Sequence, residues 1–260
     1  MSKTPYTPAD YTSLIASVLQ ENELPGSEHA AQLNAFADRL LFTNQTLNLT
    51  AITDPAAVAL KHFADSLALM RDLPRTDCRL IDIGTGAGFP AVPLAICVPS
   101  LRVTAVDGTA KRIRFLQDCA SQLPIPNLTG LVGRAEELGR DPMLREQFEI
   151  ATARAVADML IISELCLPFV RVGGCFLAMK SGNESVREEC ANAADRIKAL
   201  GGRIARLHSY TLQAGDERID RTVAVIEKIA PTPPAYPRAY AQIAKQSAKA
   251  SANRASAKKG

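Results

Sequence analysis

Residues 79–88 read Arg-Leu-Ile-Asp-Ile-Gly-Thr-Gly-Ala-Gly, and the side chains and glycines of this stretch carry the first chemical information in the chain. A short apolar run ends around an acid, Asp82, and three glycines follow at alternate positions, Gly84, Gly86 and Gly88. Such a pattern is a buried strand that empties into a turn whose backbone lets a ligand come close. A second acid, Asp107, stands at the end of the next apolar run, Arg102–Asp107. In an open α/β sheet a strand, a glycine-rich turn and a helix together hold a nucleotide-like cofactor at the carboxyl ends of the strands.

Two cofactors meet those residues differently. A dinucleotide needs the turn at a helix N-terminus to cradle a pyrophosphate, and Gly86-Ala-Gly88-Phe-Pro-Ala91 satisfies the weak form of that motif, with Asp107 placed to bind a ribose. S-adenosylmethionine has no phosphate. Its amino group calls for an acid, which Asp82 provides, and its carboxylate for the N–H groups of Thr85–Gly88. Its ribose calls for Asp107, and its adenine for a slot with a polar edge after the third strand, where Gly133-Arg134-Ala135-Glu136 lies. Asp82 and Ala135-Glu136 tilt the choice toward S-adenosylmethionine.

The elements that must position these residues follow from periodicity. Tyr11, Leu14, Ile15, Val18 and Leu19, then Leu33, Phe36, Ala37, Leu40 and Leu41, form two apolar stripes at helical spacing. Pro25-Gly26 separates the two helices, with Ser27 a cap for the second. A third helix is predicted from Asp54-Pro55 toward Met70, with a break near Lys61-His62. From Arg79 onward strands and helices alternate. Strands are predicted at 80–84, 102–107, 128–133, 148–153 and 175–180, with helices at 110–123, 158–170 and 184–200. Two closing strands, 203–212 and 221–229, are joined by a polar turn across 214–220. Strands separated by helix-length segments give a mostly parallel sheet, and the last two give an antiparallel edge hairpin. The division expected is a helical cap at 1–75, a cofactor-binding domain at 76–230 and a basic tail at 231–260.

Composition narrows the class. The chain has 260 residues, 47% of them hydrophobic, enough for a substantial core. No apolar run is long enough to span a membrane and the first residues do not resemble an export signal, so a cytoplasmic protein is expected. Six scattered cysteines without a C-x-x-C pair read as reduced core thiols, and three histidines without ligand spacing offer no metal site. Residues 231–260 hold Arg238, Lys245, Lys249, Arg254, Lys258 and Lys259 and no acid, so the net charge of +3 conceals a cationic end. With its Ala, Ser, Gln and Lys content this tail reads as unstructured and attractive to polyanions such as nucleic acid. Lys111, Arg112 and Arg114 open a helix where cations oppose the macrodipole, which points to a phosphate partner. Lys180 ends a strand on the same rim. Alternatives stand beside each reading: Asp82 stabilising the turn, Asp107 as a helix cap, Arg154 paired with Glu136, Lys180 capping the sheet, His62 packed against Asp65, Lys111, Arg112 and Arg114 as a solvated face, and the tail as a solubilising terminus.

Several segments in order carry a family resemblance: Asn48-Leu-Thr-Ala-Ile-Thr-Asp-Pro, His62-Phe-Ala-Asp-Ser-Leu, Asp82-Ile-Gly-Thr-Gly-Ala-Gly-Phe-Pro, Asp107-Gly-Thr-Ala-Lys-Arg, Ala153-Arg-Ala, Val172-Gly-Gly and Ala178-Met-Lys. The chain resembles the glucose-inhibited division protein B family, bacterial 16S ribosomal RNA (guanine-N7) methyltransferases. The resemblance runs from about Leu40 to Arg238. It implies an α/β, class I (Rossmann-like) methyltransferase with a mostly parallel seven-stranded sheet, and S-adenosyl-L-methionine as cofactor, held at Gly84, Phe89, Ala135, Glu136 and Arg154 beside Gly86, Gly88 and Asp107. It implies 16S ribosomal RNA or the small ribosomal subunit as partner; the cations read above from position and charge, Lys111, Arg112, Arg114, Lys180 and Arg238, are the candidate RNA contacts. The sequence departs from the family where Gly108 replaces a usual Ser, and after Arg238, where Tyr240 and an Ala/Lys/Ser stretch replace a Gly- and Lys-containing one. Guanine N7 has a free lone pair and no proton to lose, so no general base is expected and no catalytic side chain is assigned. The rival classes are an NAD-dependent oxidoreductase and an RNA-binding module without catalysis.

Overall fold

The computed structural model describes residues 9–74 and 76–257, with side chains as far as Ala248. In chain order the elements are α1 (Thr12–Glu21), α2 (Ala30–Leu47), α3 (Pro55–Val58), α4 (Asp65–Leu67), β1 (Cys78–Ile83), α5 (Ala91–Cys97), β2 (Leu101–Asp107), α6 (Ala110–Gln122), β3 (Leu128–Val132), α7 (Ala135–Leu138), β4 (Phe148–Arg154), α8 (Met159–Cys166), β5 (Val170–Ser181), α9 (Glu184–Ala199), β6 (Gly202–Ala214), β7 (Glu217–Lys228) and α10 (Tyr240–Ala257). The sheet has seven strands in the order β3-β2-β1-β4-β5-β7-β6. The first five are parallel, and β7 and β6 close the edge antiparallel. The chain order reverses between β1 and β4, and at such a switch point an open α/β sheet leaves a crevice at its carboxyl edge.

Period-two alternation sorts the sheet onto two cores. Leu80, Ile150, Leu177, Met179, Val223 and Val225 pack with α1, α2, the helical run 55–71, α5 and α6. Ile81, Ile83, Ala151, Ala153, Phe176, Ala178, Ala224 and Ile226 pack with α8, α9 and Ile243 of α10. The N-terminal helices therefore share one hydrophobic core with the sheet. Ile15, Val18 and Leu19 of the first stripe and all of the second are buried in it.

Asp54 caps α3, its side chain accepting from the Ala57 N–H, with Pro55 at the first helical position. Between α3 and α4 the helix widens to a π turn, Ala59–Ala64, at the place where a break is expected. Four local readings differ from the structure. Ser27 is not a cap; Gly26 at φ 104° begins a 3-10 turn. The helix after Asp158 stops at Cys166, because Pro168 imposes a 3-10 turn over Leu167–Phe169, and β5 starts at Val170. The closing hairpin is longer than expected, pairing from Ala214↔Glu217 inward, so its turn needs only Gly215 and Asp216. The fourth is the tail. In place of an unstructured segment, residues through 257 form a docked loop and the helix α10, because Ile243 buries against the α8–α9 face and Arg238 meets a buried acid. Side chains of Lys249, Arg254, Lys258 and Lys259 lie outside the described residues.

Candidate functional site

Strand register sets the first contact. β1 and β4 pair with Asp82 opposite Thr152, and the Thr152 hydroxyl donates to Asp82 Oδ1 at 2.8 Å. Asp82 is fully buried, its Oδ2 hydrogen-bonds to no described group, and neither does the Thr85 hydroxyl. Burial pushes the Asp82 carboxyl up to about 6, only partly offset by the neighbouring Thr85 and Thr152 hydroxyls and the Arg154 charge.

The glycine turn then folds onto the strand tips. The Gly84 and Thr85 N–H groups donate to Val106 O, those of Gly88 and Phe89 to Thr85 O, and that of Gly86 to Asp107 Oδ2 at 3.1 Å. The expectation that Thr85–Gly88 offers free N–H groups to a cofactor carboxylate is thus corrected at Thr85, Gly86 and Gly88, whose N–H groups are engaged inside the protein. The same engagement withholds those N–H groups from a pyrophosphate as well, so the turn's donors do not separate the two cofactors. Gly84 holds φ 71°, and a Cβ there would meet Val156 Cγ2 at 2.8 Å. Gly88 holds φ 100°, and a Cβ would meet Val92 Cγ2 at 2.6 Å and Leu116 Cδ2 at 2.7 Å, so its smallness serves packing.

Asp107 gathers the site. Its carboxylate accepts from the Gly86 N–H, from the Thr109 N–H at 2.8 Å and from the Arg112 guanidinium at 3.2 Å. It forms one wall of a cavity of about 310 Å³, with Gly84, Arg112, Gly133, Arg134, Ala135, Glu136, Val156 and Tyr240 among the other lining residues. Of the sequence-derived cofactor residues, Gly84, Asp107, Ala135 and Glu136 line this cleft. Gly86 lies beneath it, bonded to Asp107. Gly88 and Phe89 turn away into the core, where Phe89 is 4% exposed and stacks on His62 at 4.2 Å. Arg154 is outside the cleft. Glu136 pairs with Arg134 at 3.2 Å, and Arg154 pairs instead with Asp65 at 3.1 Å.

Arg154 lines a second cavity of about 310 Å³ with Ile52, Lys61, His62, Asp65, Ala155, Met179, Lys180, Ser181 and Arg221. The two cavities flank one strand tip: Ala155, in the left-handed region at φ 54°, faces the second, and its neighbour Val156 faces the first. Asp65 accepts from Arg154 and, at 3.0 Å, from Arg221, so the acid of the helical run holds two cations of the sheet edge. Arg154 also donates to Lys61 O. His62 Nδ1 lies 3.3 Å from the Arg154 guanidinium and Nε2 lies 3.0 Å from the Thr50 hydroxyl. That pattern assigns the neutral tautomer with Nδ1 accepting. Burial first, and then the Arg154 charge, push the imidazole down to about 3.

A pH effect follows. The folded-state value lies below the ordinary 6.5, so the unfolded chain binds the proton more readily and the fold loses stability as pH falls from about 6.5 toward 3. Asp82, raised to about 6, acts in the opposite direction between about 6 and 3.8. The His62 contribution is isolated by comparison with His62→Gln: wild type should lose about 2 kcal/mol more than the variant between pH 7 and pH 5. Urea unfolding at both pH values reads this, and equal losses in the two proteins would show that His62 is not held neutral.

A family model described as GidB, rRNA small subunit methyltransferase G, matches residues 29–217. A relative from Acetivibrio thermocellus named ribosomal RNA small subunit methyltransferase G is 44% identical over 78% of this chain and 82% of its own. One of the same name from a Geobacillus species is 42% identical over 87% and 94%. The chain belongs to the rRNA small subunit methyltransferase G family. A solved 16S rRNA (adenine(1408)-N(1))-methyltransferase from Catenulisporales acidiphilia shares the fold at 16% identity and a TM-score of 0.50, over 60% of this chain and 87% of that one.

In this member of the rRNA small subunit methyltransferase G family the sequence-derived RNA cations separate into three groups. Lys111 and Arg114 are exposed on α6 and line a groove with Arg39 of α2. Arg112 and Lys180 border the two cavities, Arg112 against Asp107 and Lys180 bonded to Ala157 O and Glu189 at 2.7 Å. Arg238 is not a rim cation: its guanidinium and its N–H are bound to Glu164, which is wholly buried. Sequence reasoning missed Asp65 and Arg221 as a pair, Val156 at the hinge of the cavities and Tyr240 in the cleft. The pairing of Asp65 with Arg221 spans 156 residues and leaves no local signal. Tyr240 was visible as a departure from the family pattern. Among the described residues no cluster of three or more His, Cys, Asp or Glu could hold a metal, and no helix is long and apolar enough to cross a membrane.

Proposed function

We propose that this chain transfers a methyl group from S-adenosylmethionine to N7 of a guanosine in 16S ribosomal RNA. The observation that carries the reading is the adjoining pair of cavities at the carboxyl edge of the sheet, with Val156 in one and Arg154-Ala155 in the other. S-adenosylmethionine supplies a sulfonium-bound methyl group as electrophile. The residues of the first cleft fit it: Asp107 has a carboxylate for ribose hydroxyls, and Glu136 and the Gly133–Ala135 backbone offer polar edges to adenine.

The second cavity is assigned to the target guanosine. N7 needs no proton removed, and His62, neutral and bonded to Thr50, is not required as a base. The chain's task is to align and desolvate the reacting atoms, which is catalysis by proximity. Asp65 tempers the charge of Arg154 and Arg221, so an imidazole ring that gains positive charge is not opposed by two bare cations; Lys61 and Lys180, which border the same cavity, are likewise paired, with Glu217 and Glu189. Residues 1–75 serve as a helical cap that supplies His62 and Asp65, residues 76–230 as the methyltransferase domain, and α6 with the rim as the RNA face. The partner is the small ribosomal subunit or its 16S ribosomal RNA, and the place of action the cytoplasm.

Purified protein incubated with tritiated S-adenosylmethionine and small ribosomal subunits from cells lacking this chain should place label in 7-methylguanosine on hydrolysis of the RNA. Label in another nucleoside would overturn the N7 assignment. No label, with S-adenosylhomocysteine bound normally, would leave an RNA-binding module. Transfer should weaken steeply with added salt, since phosphate contacts are electrostatic.

A further inference from the structure

Tyr240 opens α10 and stands in the wall of the first cleft beside Gly133, Arg134, Ala135 and Glu136. It lies beyond residue 217, where the family model's match ends, so nothing in that match assigns it a role. The Arg134 guanidinium carbon is 5.2 Å from the centre of the Tyr240 ring, and Arg134 Nε is 3.2 Å from Glu136. Ring, guanidinium and carboxylate thus form one linked group along one side of the cleft. Tyr240 is 38% exposed and forms part of the cavity's lining.

The helix that carries this ring is anchored, not loose. Ile243 is 2% exposed in the core beneath α8 and α9. The Ser247 hydroxyl donates to Asp158 Oδ2, while Oδ1 of the same carboxylate accepts from the Ile161 N–H to cap α8. Gln246 accepts from Arg238, whose own side chain is held on Glu164. These ties fix α10 on the protein and with it the position of Tyr240.

We infer that Tyr240 is a positioning residue for the nucleoside end of the cofactor, closing the adenine slot with an aromatic face. The inference rests on the assignment of this cleft to S-adenosylmethionine. Adenine has two flat π faces and a polar edge. Glu136 and the neighbouring backbone can address the edge, and the other apolar lining residues, Ile83, Val106, Val156 and Leu165, are aliphatic. Tyr240 is the aromatic ring in the lining, and base–aromatic stacking accepts any base geometry that brings the faces together.

Calorimetric titration of the full chain tests this with two ligands, S-adenosylhomocysteine and 5′-methylthioadenosine, which lacks the amino-acid end. Tyr240→Ala should weaken both by about tenfold and by the same factor, the low end of what a stacked ring contributes to a base. Tyr240→Phe should restore binding to within about twofold. Tyr240→Leu, which keeps apolar bulk without a ring, should lose about as much as Ala. In steady-state transfer the Ala variant should raise KM for S-adenosylmethionine far more than it lowers kcat. Binding of the Ala and Leu variants within twofold of wild type overturns the role, as does a loss seen with S-adenosylhomocysteine alone. Wild-type protein that binds neither ligand overturns the assignment of the cleft itself, a separate failure.

Discussion

Asp107→Ala should weaken S-adenosylhomocysteine binding by at least about 100-fold and reduce methyl transfer in proportion. Asp107 is 5% exposed at the tip of β2 and lines the first cleft together with Glu136. Two ribose hydroxyls bonded to a carboxylate are worth about 1.5–3 kcal/mol each, and the smaller figure for both already gives a factor above 100. A second loss adds to the first. The Gly86 and Thr109 N–H groups and the Arg112 guanidinium all lose their acceptor, so the turn that shapes the cleft is loosened in the free protein. Asp107→Asn separates the two parts. The Gly86 and Thr109 N–H groups bond to different carboxylate oxygens, so the amide oxygen keeps one of them and holds part of the turn, yet it offers a ribose only one acceptor and leaves Arg112 without its counter-charge. It should fall between wild type and Ala, at roughly 10-fold to 100-fold weaker binding by calorimetry. Binding by the Ala variant within a few-fold of wild type would remove Asp107 from the cofactor site and return it to the role of a turn anchor.

The parts of this molecule that are local in sequence were readable, and those that depend on distant segments meeting were not. Strand β1, the glycine turn and Asp107 lie within thirty residues and show a short apolar run, buried on both faces, followed by left-handed glycines, so their placement at the sheet edge follows from pattern alone. The turn's hydrogen bonding was not readable. Whether the N–H groups of Thr85 and Gly86 face a ligand or the protein depends on how β2 ends, and β2 supplies Val106 O and Asp107 as acceptors. Phe89 shows the same limit. An aromatic beside a glycine turn suits stacking on a ligand or sealing the core, and the choice was made by Phe36, Phe63 and His62 arriving from the helical cap. Arg154 follows an apolar strand and reads as a rim cation, and its partner, Asp65, comes from a π-widened helix 89 residues earlier. The basic tail was misjudged for a compositional reason. Ala, Ser, Gln and Lys build no core of their own, but Ile243, Arg238 and Ser247 dock a helix on a surface that offers an apolar face and the acids Glu164 and Asp158.

That buried acid makes the second large prediction. Glu164 sits on α8 with no exposed surface and accepts from Arg238 Nε at 2.8 Å, Arg238 Nη2 at 2.7 Å, the Arg238 N–H at 2.9 Å and the Arg196 guanidinium. Burial pushes its carboxyl up, and the hydrogen bonds from Arg238 with the charges of Arg238 and Arg196 more than reverse this, leaving it below the ordinary carboxylate range. Glu164→Ala should lower the unfolding free energy by about 3–5 kcal/mol, because two guanidinium groups that are mostly buried lose their counter-charge. In a domain of ordinary stability that is a large share of the total. Glu164→Gln keeps the shape and part of the hydrogen bonding and should cost less. The pH dependence identifies the group. A carboxyl whose folded-state value is depressed contributes stability above its unfolded value near 4.5 and loses it as pH falls through the folded value. Wild type and Glu164→Gln should therefore differ most above the ordinary carboxylate value and converge only as pH falls below it through the depressed folded-state value. Because Arg238 leads directly into α10, the Gln variant should also weaken S-adenosylhomocysteine binding several-fold at pH 7, through Tyr240 and without any contact of Glu164 with the cofactor. Urea unfolding and calorimetry on the same preparations read both effects, and a stability loss unaccompanied by weaker binding would show that α10 holds Tyr240 in place without help from the Arg238–Glu164 pair.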